Sequence, residues 1–170
     1  MAPASRVSIR PPVPADQPAF LAAMRRSRDL HRRWAPSGPE TRAAFRRYLE
    51  RMARPENHGF LVTVRATGDL AGFISLSNVI GGVLQSGFLG YCAFSGFEHQ
   101  GYMHEGVSAV VRHAFTKLTL HRLEANIQPG NTASVALARA CGFRREGFSP
   151  RYLKIGGRWR DHERWAIVKP

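Results

Sequence analysis

The stretch that decides the fold begins Gly87-Phe88-Leu89-Gly90-Tyr91-Cys92-Ala93-Phe94, breaks at Ser95-Gly96, and resumes as Glu98-His99-Gln100-Gly101-Tyr102-Met103-His104-Glu105. Its first part is a short apolar run that belongs centrally in a sheet. Its second part opens a helix: over residues 103–118, Val107, Val110, Val111, Ala114, Phe115 and Leu118 recur at helical spacing and form one apolar stripe. Leu123-Glu124-Ala125-Asn126-Ile127 then alternates as a strand does. Strand, helix, strand is a βαβ-like crossover, right-handed by the general rule, and the chemistry is expected beside it.

Outward from this unit, Val7 and Ile9 share one face of a strand over residues 6–10, Pro11 and Pro12 end it, and Asp16 is placed to cap a helix carrying Phe20, Leu21 and Met24. Ala35-Pro36-Ser37-Gly38-Pro39 is a turn-rich break before a second helix. There Phe45, Tyr48, Leu49 and Met52 fall at i, i+3, i+4 and i+7, which turns the arginines to solvent. Residues 60–64 and 70–77 are β-type runs joined by Ala66-Thr67-Gly68-Asp69, so an antiparallel hairpin is expected. Past the crossover, residues 132–140 read as a short helix stopped at Gly142, and residues 152–155 and 165–168 as strands with Gly156-Gly157 turning between them. The sum is a mixed α/β arrangement in a single domain over residues 1–170, a length with room for one core.

Composition removes several classes. Apolar residues make up 44% and the 16 Gly and 11 Pro are scattered, which excludes fibrous and disordered chains. No apolar run approaches the roughly 18–20 residues of a membrane span, and residues 1–17 lack the apolar core of a secretory signal, so a cytoplasmic, non-membrane protein is expected. Cys92 and Cys141 form no CxxC pattern, and His99, His104 and His162 match no closed zinc spacing, so neither disulfides nor a metal are expected. The net charge of +13 is uneven: +8 over residues 1–54, −3 over 55–111 and +8 over 112–170. Such a molecule attracts polyanions, whether nucleic acid, a phosphorylated cofactor or a ribosome, and charge alone does not choose.

Two segments are candidates for chemistry. The Glu98–Glu105 loop feeds a helix N-terminus, where orphan N–H groups and the positive end of the dipole favour an anion and Gly101 allows close approach; an ordinary turn fits the same residues. It is neither GxGxxG nor a GxxxxGK[ST] loop, which argues against nucleoside triphosphate chemistry. In Asn131-Thr132-Ala133-Ser134, Asn131 is a good N-cap and Ser134 a first-turn residue, so structural and functional readings both stand.

The order of these elements, together with Gln100-Gly101-Tyr102-Met103-His104-Glu105, His121-Arg122, Pro129-Gly130-Asn131, Ala138-Arg139 with Cys141-Gly142-Phe143, Glu146-Gly147, Tyr152-Leu153 and Gly157-Arg158-Trp159-Arg160-Asp161-His162, resembles the GNAT superfamily of N-acetyltransferases. Within it the chain is similar to the RimJ/RimL-type ribosomal-protein N-acetyltransferases, closest to the RimJ type. Residues 60–168 carry the resemblance; the N-terminal third agrees in outline, through Trp34-Ala35-Pro36.

The resemblance implies a GNAT α/β fold: a mixed, mostly antiparallel central sheet, helices on both faces and a splayed central strand pair. It implies acetyl-CoA as co-substrate, its pantetheine arm against Cys92-Ala93-Phe94, its pyrophosphate over the amides of Gln100, Gly101, Tyr102, Met103, His104 and Glu105, and Asn131 orienting the arm. Many relatives supply a tyrosine to the departing thiolate where this chain has Ala138; the likeness to RimL-type relatives implies Ser134 as the substitute catalytic hydroxyl, and Trp34 and Tyr152 are expected to line the acceptor channel. Glu98 and Met103 depart from the usual loop, and Arg151 stands where some relatives carry an acid, so no general base carries over. Glu105 and Glu124 read as structural.

The simplest chemistry is attack of a neutral amine on the thioester in a ternary complex, the oxyanion held by a backbone N–H of the central strand. An α-amine, with a pKa near 7.7–8.0, suits a site without a strong base better than a lysine near 10.4. The expected acceptor is therefore a protein or peptide N-terminus, and the RimJ/RimL resemblance implies ribosomal protein of the alanine type as prime candidate. The alternatives are the same fold acetylating a small amine, or a basic nucleic-acid-associating module with a vestigial acyl-CoA site. Weak association with nucleic acid or the ribosome, and a monomer or homodimer, are compatible with each.

Overall fold

The computed structural model describes residues 4–35 and 38–170, so Pro36 and Ser37 of the expected break lie outside the described residues. In chain order the elements are β1 (Val7–Arg10), α1 (Gln17–Arg26), α2 (Arg28–His31), α3 (Arg42–Met52), β2 (His58–Val64), β3 (Leu70–Ile80), β4 (Ser86–Ala93), α4 (Tyr102–Thr116), β5 (Arg122–Ile127), α5 (Thr132–Ala140), β6 (Arg144–Ile155) and β7 (Arg158–Val168). The strands form one sheet in the order β1-β2-β3-β4-β5-β7-β6. All neighbours are antiparallel except β4 and β5, the parallel pair joined through α4.

That parallel pair is splayed. Pairing runs from Ser86 opposite Arg122 to Phe88 opposite Glu124 and stops, while β4 stays paired with β3 as far as Ala93 opposite Gly72. Backbone groups of β4 beyond Phe88 are thus turned away from any β5 ladder, an arrangement a sheet interior tolerates only where another polar partner can reach them.

Strand alternation divides the core between two faces. On one, Val107, Val110, Val111 and Ala114 of α4 pack on Phe60, Val62, Ile74, Leu76 and Leu123, with Ala138 and Phe143 beyond them. On the other, Phe20 of α1 meets Phe45 of α3 at 5.0 Å between ring centroids and Phe94 at 5.5 Å, over Leu61 of β2. Each fully buried phenylalanine stabilises this face by about 1.5–3 kcal/mol. A mostly antiparallel mixed sheet with helices on both faces and a splayed central pair is the architecture the resemblance implied.

Three local expectations are corrected. Asp16 does not cap α1; its carboxylate accepts from both terminal nitrogens of Arg10, at 2.8 and 2.6 Å, and from Val13 N–H. The one-turn helix α2 was not foreseen. The C-terminal strands are far longer than residues 152–155 and 165–168, spanning Arg144–Ile155 and Arg158–Val168. Arginines and Pro150 disguise the first of them, which is an edge strand where charge and proline are tolerated. Its register breaks between Ser149 and Leu153, where Arg151 has φ +47°.

Candidate active site

A cleft of about 1330 Å3 passes through the splay. The α4 side is walled by Met103, His104, Asn131, Ser134 and Leu137, and the opposite side by Tyr48, Phe73, Ser75 and Cys92. Because the strands part only beyond Phe88, the two halves meet at the end of β4.

At the start of α4, Gly101 sits at φ +83°, a conformation natural to glycine, and a Cβ there would lie 2.9 Å from Arg6 Nη2. The first intrahelical bond is Glu105 N–H to Gly101 O at 3.1 Å, leaving the amides of Tyr102, Met103 and His104 without an intrahelical acceptor. A brace fixes the loop: Glu105 accepts from Arg6 N–H at 2.7 Å, Arg6 Nε at 2.6 Å and Ser5 Oγ at 3.0 Å, and Arg6 Nη2 donates to Gln100 O at 2.9 Å. Burial pushes the Glu105 carboxyl up, but the bonds from Arg6 and Ser5 outweigh it and hold the group below the usual range. Glu98 turns back to accept Gly96 N–H at 2.5 Å, so its charge is engaged within the loop.

Across the splay, Tyr91 Oη–H donates to Ser134 O at 3.0 Å while Ser134 Oγ–H donates to Tyr91 Oη at 3.1 Å. Asn131 Oδ1 accepts Ser134 N–H at 3.2 Å and caps α5. Burial pushes the Tyr91 hydroxyl up to about 12, against the lowering effect of its bond with Ser134, so it stays protonated at neutral pH. Two hydroxyls therefore face the cleft where β4 leaves β5.

The other half holds unmatched polar atoms. Tyr48 Oη and Asn126 Oδ1 are buried without a hydrogen-bond partner among the described residues, and both residues line the cleft. Burial pushes the Tyr48 hydroxyl and the Cys92 thiol each up to about 12. His31 Nε2 lies 2.6 Å from Ala93 O, which fixes the Nε2–H tautomer, because a carbonyl can only accept. Gln128 Nε2 donates to Trp34 O at 3.2 Å, tying the segment after α2 to the end of β5.

Of the residues the sequence singled out, Cys92, Ala93, Gly101, Met103, His104, Asn131, Ser134 and Trp34 come together around the cleft. Phe94, Gln100, Tyr102, Glu105 and Tyr152 do not line it. Phe94 is fully buried in the aromatic core, and its N–H donates to Ala71 O at 2.8 Å, so that amide is not a free donor. Gln100 Nε2 donates to Gly96 O at 2.6 Å, and Tyr102 lies under the Arg6 guanidinium, 4.8 Å from its ring centroid. Tyr152 stands outside; the β6–β7 ribbon reaches the cleft through Leu153, Ile155 and His162. Sequence reasoning missed Tyr91, Tyr48, Asn126 and His31. Tyr91 alone left a signal, as the one hydroxyl in the apolar run 87–94.

The cleft's two walls set its limits. Glu124 pairs with Arg122 at 2.8 Å and Glu105 with Arg6, and Glu98 is the only acidic residue among the described lining residues. Among the described residues no three His, Cys, Asp or Glu side chains gather as a metal site, and no helix is long and apolar enough to cross a membrane.

Comparison with known proteins gives the arrangement a family. The model of the acetyltransferase (GNAT) domain matches residues 6–144. A Bacillus subtilis protein described as "Probable N-acetyltransferase YjcK" is 37% identical over 123 residues, 72% of this chain and 68% of that one. The [ribosomal protein uS5]-alanine N-acetyltransferase of Escherichia coli is 34% identical over 102 residues, 60% of this chain but only 53% of the relative. The structure of Mycobacterium smegmatis RimJ in complex with CoA-disulfide superposes with a TM-score of 0.88 at 28% identity, covering 95% of this chain and 81% of that chain. With the domain model spanning most of its length and a splayed sheet of the same architecture, this chain belongs to the GNAT acetyltransferase family and is an acyltransferase.

Proposed function

We propose that residues 1–170 form one catalytic domain that transfers acetyl from acetyl-CoA to a protein N-terminal α-amine, with an alanine-type ribosomal-protein N-terminus as the prime candidate. The observation that carries the reading is the Ser134–Tyr91 hydroxyl pair at the splay, facing a chamber in which Glu98, the one acid among the described lining residues, is already engaged within its own loop. The relatives named for ribosomal-protein acetylation support the acceptor class.

The residues present fit acetyl-CoA. First-turn amides of Tyr102, Met103 and His104 suit a pyrophosphate, and the β4 backbone from Leu89 to Ala93 lacks a β5 partner that a pantetheine amide chain can replace. Asn131 acts through the cap that orients Ser134, and Trp34 walls the acceptor side. Acetyl-CoA supplies the thioester. Ser134, seconded by Tyr91, donates a hydrogen bond to the departing sulfur rather than a whole proton, because an aliphatic hydroxyl is a far weaker acid than a thiol, and the Tyr91 hydroxyl, pushed up to about 12, is also weaker than a thiol near 8.5. The proton balance closes without a base: the attacking nitrogen loses one proton on becoming an amide, and the thiolate takes one up. The amine must therefore arrive neutral, which favours an α-amine over lysine at neutral pH.

The test is to incubate the protein with acetyl-CoA and peptides bearing free Ala, Ser or Thr N-termini, N-blocked lysine peptides and polyamines, and to locate the added acetyl by mass spectrometry. Acetyl on the α-amine alone is expected. Transfer only to lysine or polyamines overturns the reading in favour of a small-amine enzyme. Salt-sensitive nucleic-acid binding with no transfer to any amine would mark the vestigial alternative.

A further inference from the structure

We infer that the acceptor carries acidic side chains within its first few residues and that Arg47 and Arg51 of α3 select for them; the inference rests on the α-amine reading above. Both arginines line the cleft beside Tyr48, one turn apart on a single face of α3. Two like charges at i and i+4 repel on a helix, and neither guanidinium has a carboxylate partner among the described residues. Arg51 stands 5.9 Å from the Tyr48 ring centroid, and Arg47, Tyr48 and Arg51 line the same cleft as Ser134 and Tyr91.

The β6–β7 ribbon adds no carboxylate to the described lining residues. Strand alternation puts Arg158 and Arg160 of β7 on the face that carries His162, and Leu153 and Ile155, their partners on β6, line the cleft. Glu98, the acid of the lining, is turned into its own loop. An entrance with Arg47 and Arg51 on one side, and no carboxylate left free among the described lining residues, repels a polyamine and attracts a chain bearing carboxylates. An extended peptide advances about 3.3 Å per residue, so side chains two to five places after the amine pass this rim.

The experiment compares Ala-leading peptides carrying Glu, Gln or Lys across positions 2–5, by kcat/KM with saturating acetyl-CoA, at low and high salt. The Glu peptide is expected to exceed the Lys peptide by about tenfold at low ionic strength, with the ratio falling toward one as salt screens the rim. In the double variant Arg47→Glu/Arg51→Glu the order of the two peptides should reverse, a readout that a loss of folding would not produce. Equal kcat/KM for Glu and Lys peptides, with the α-amine acetylated in both, overturns this inference and leaves the α-amine reading intact. Transfer to spermidine with no α-amine acetylated in any peptide overturns both.

Discussion

Ser134→Ala isolates the proposed hydroxyl with little structural disturbance. The bond that caps α5 is donated by the Ser134 backbone N–H to Asn131 Oδ1, and the bond from Tyr91 ends on the Ser134 carbonyl, so alanine keeps both. What is lost is one O–H, now donated to Tyr91 at 3.1 Å and available to a sulfur carrying developing charge. A hydrogen bond to a charged group is worth about 1.5–3 kcal/mol, which corresponds to roughly a ten- to hundredfold fall in kcat. The dissociation constant of acetyl-CoA, by calorimetry, should move less than about threefold, since the uncharged thioester sulfur gains little from that bond. Tyr91→Phe should also lower kcat. Because the two hydroxyls act on one atom, the double variant should lose less than the product of the single losses. A kcat within twofold of the parent, or a loss confined to acetyl-CoA affinity, would refute the assignment.

Tyr48→Phe and Asn126→Leu should each raise the acceptor KM several-fold in steady-state rates without changing acetyl-CoA affinity. Thermal stability should hold or rise slightly, because each removes a buried polar atom that has no partner in the described structure; a drop would show that the fold does use those atoms. Glu105→Gln should cost about 1 kcal/mol by urea denaturation, a value discounted for the exposure of Arg6. With the carboxyl held low in the folded state, its contribution is present above its ordinary pKa and lost as pH falls, so the variant's acid unfolding should be less steep below about pH 4. At the alkaline end Cys92, Tyr48 and Tyr91 are each pushed to about 12 by burial. Their stabilisation is complete below their unfolded pKa values, near 8.5 and 10, and lost as pH rises toward 12, so the Tm should fall progressively from pH 8 to 11. For the same reason Cys92 should resist alkylation at pH 8 in the folded protein and gain no acetyl from acetyl-CoA without acceptor; a stable acetyl-Cys92 would establish a covalent route instead.

How much of this was legible in the chain varied with the kind of signal. Long periodic elements were clear: the stripe from Val107 to Phe115 gave α4 within two residues, and the alternation at 123–127 gave β5. The long C-terminal hairpin was mostly hidden, because β6 is a solvent-facing edge strand whose arginines and proline lack an apolar rhythm. The loop at Gly101 was found from helix-end electrostatics, yet its brace was not, since Arg6 and Glu105 lie 99 residues apart and no local pattern links them.

By itself the sequence determined the mixed α/β class and the crossover around α4, which follow from local periodicity and backbone preference, and its resemblance to known acetyltransferases pointed to the family and to Gly101, Asn131 and Ser134. Only the tertiary structure decided that Phe94 belongs to the core, that Tyr91 meets Ser134 across the splay, and that Tyr48, Asn126 and the α3 arginines converge on one chamber. Those are contacts between distant segments, fixed by strand register and by helices packing on opposite faces of one sheet, and neither is encoded in any single stretch of chain.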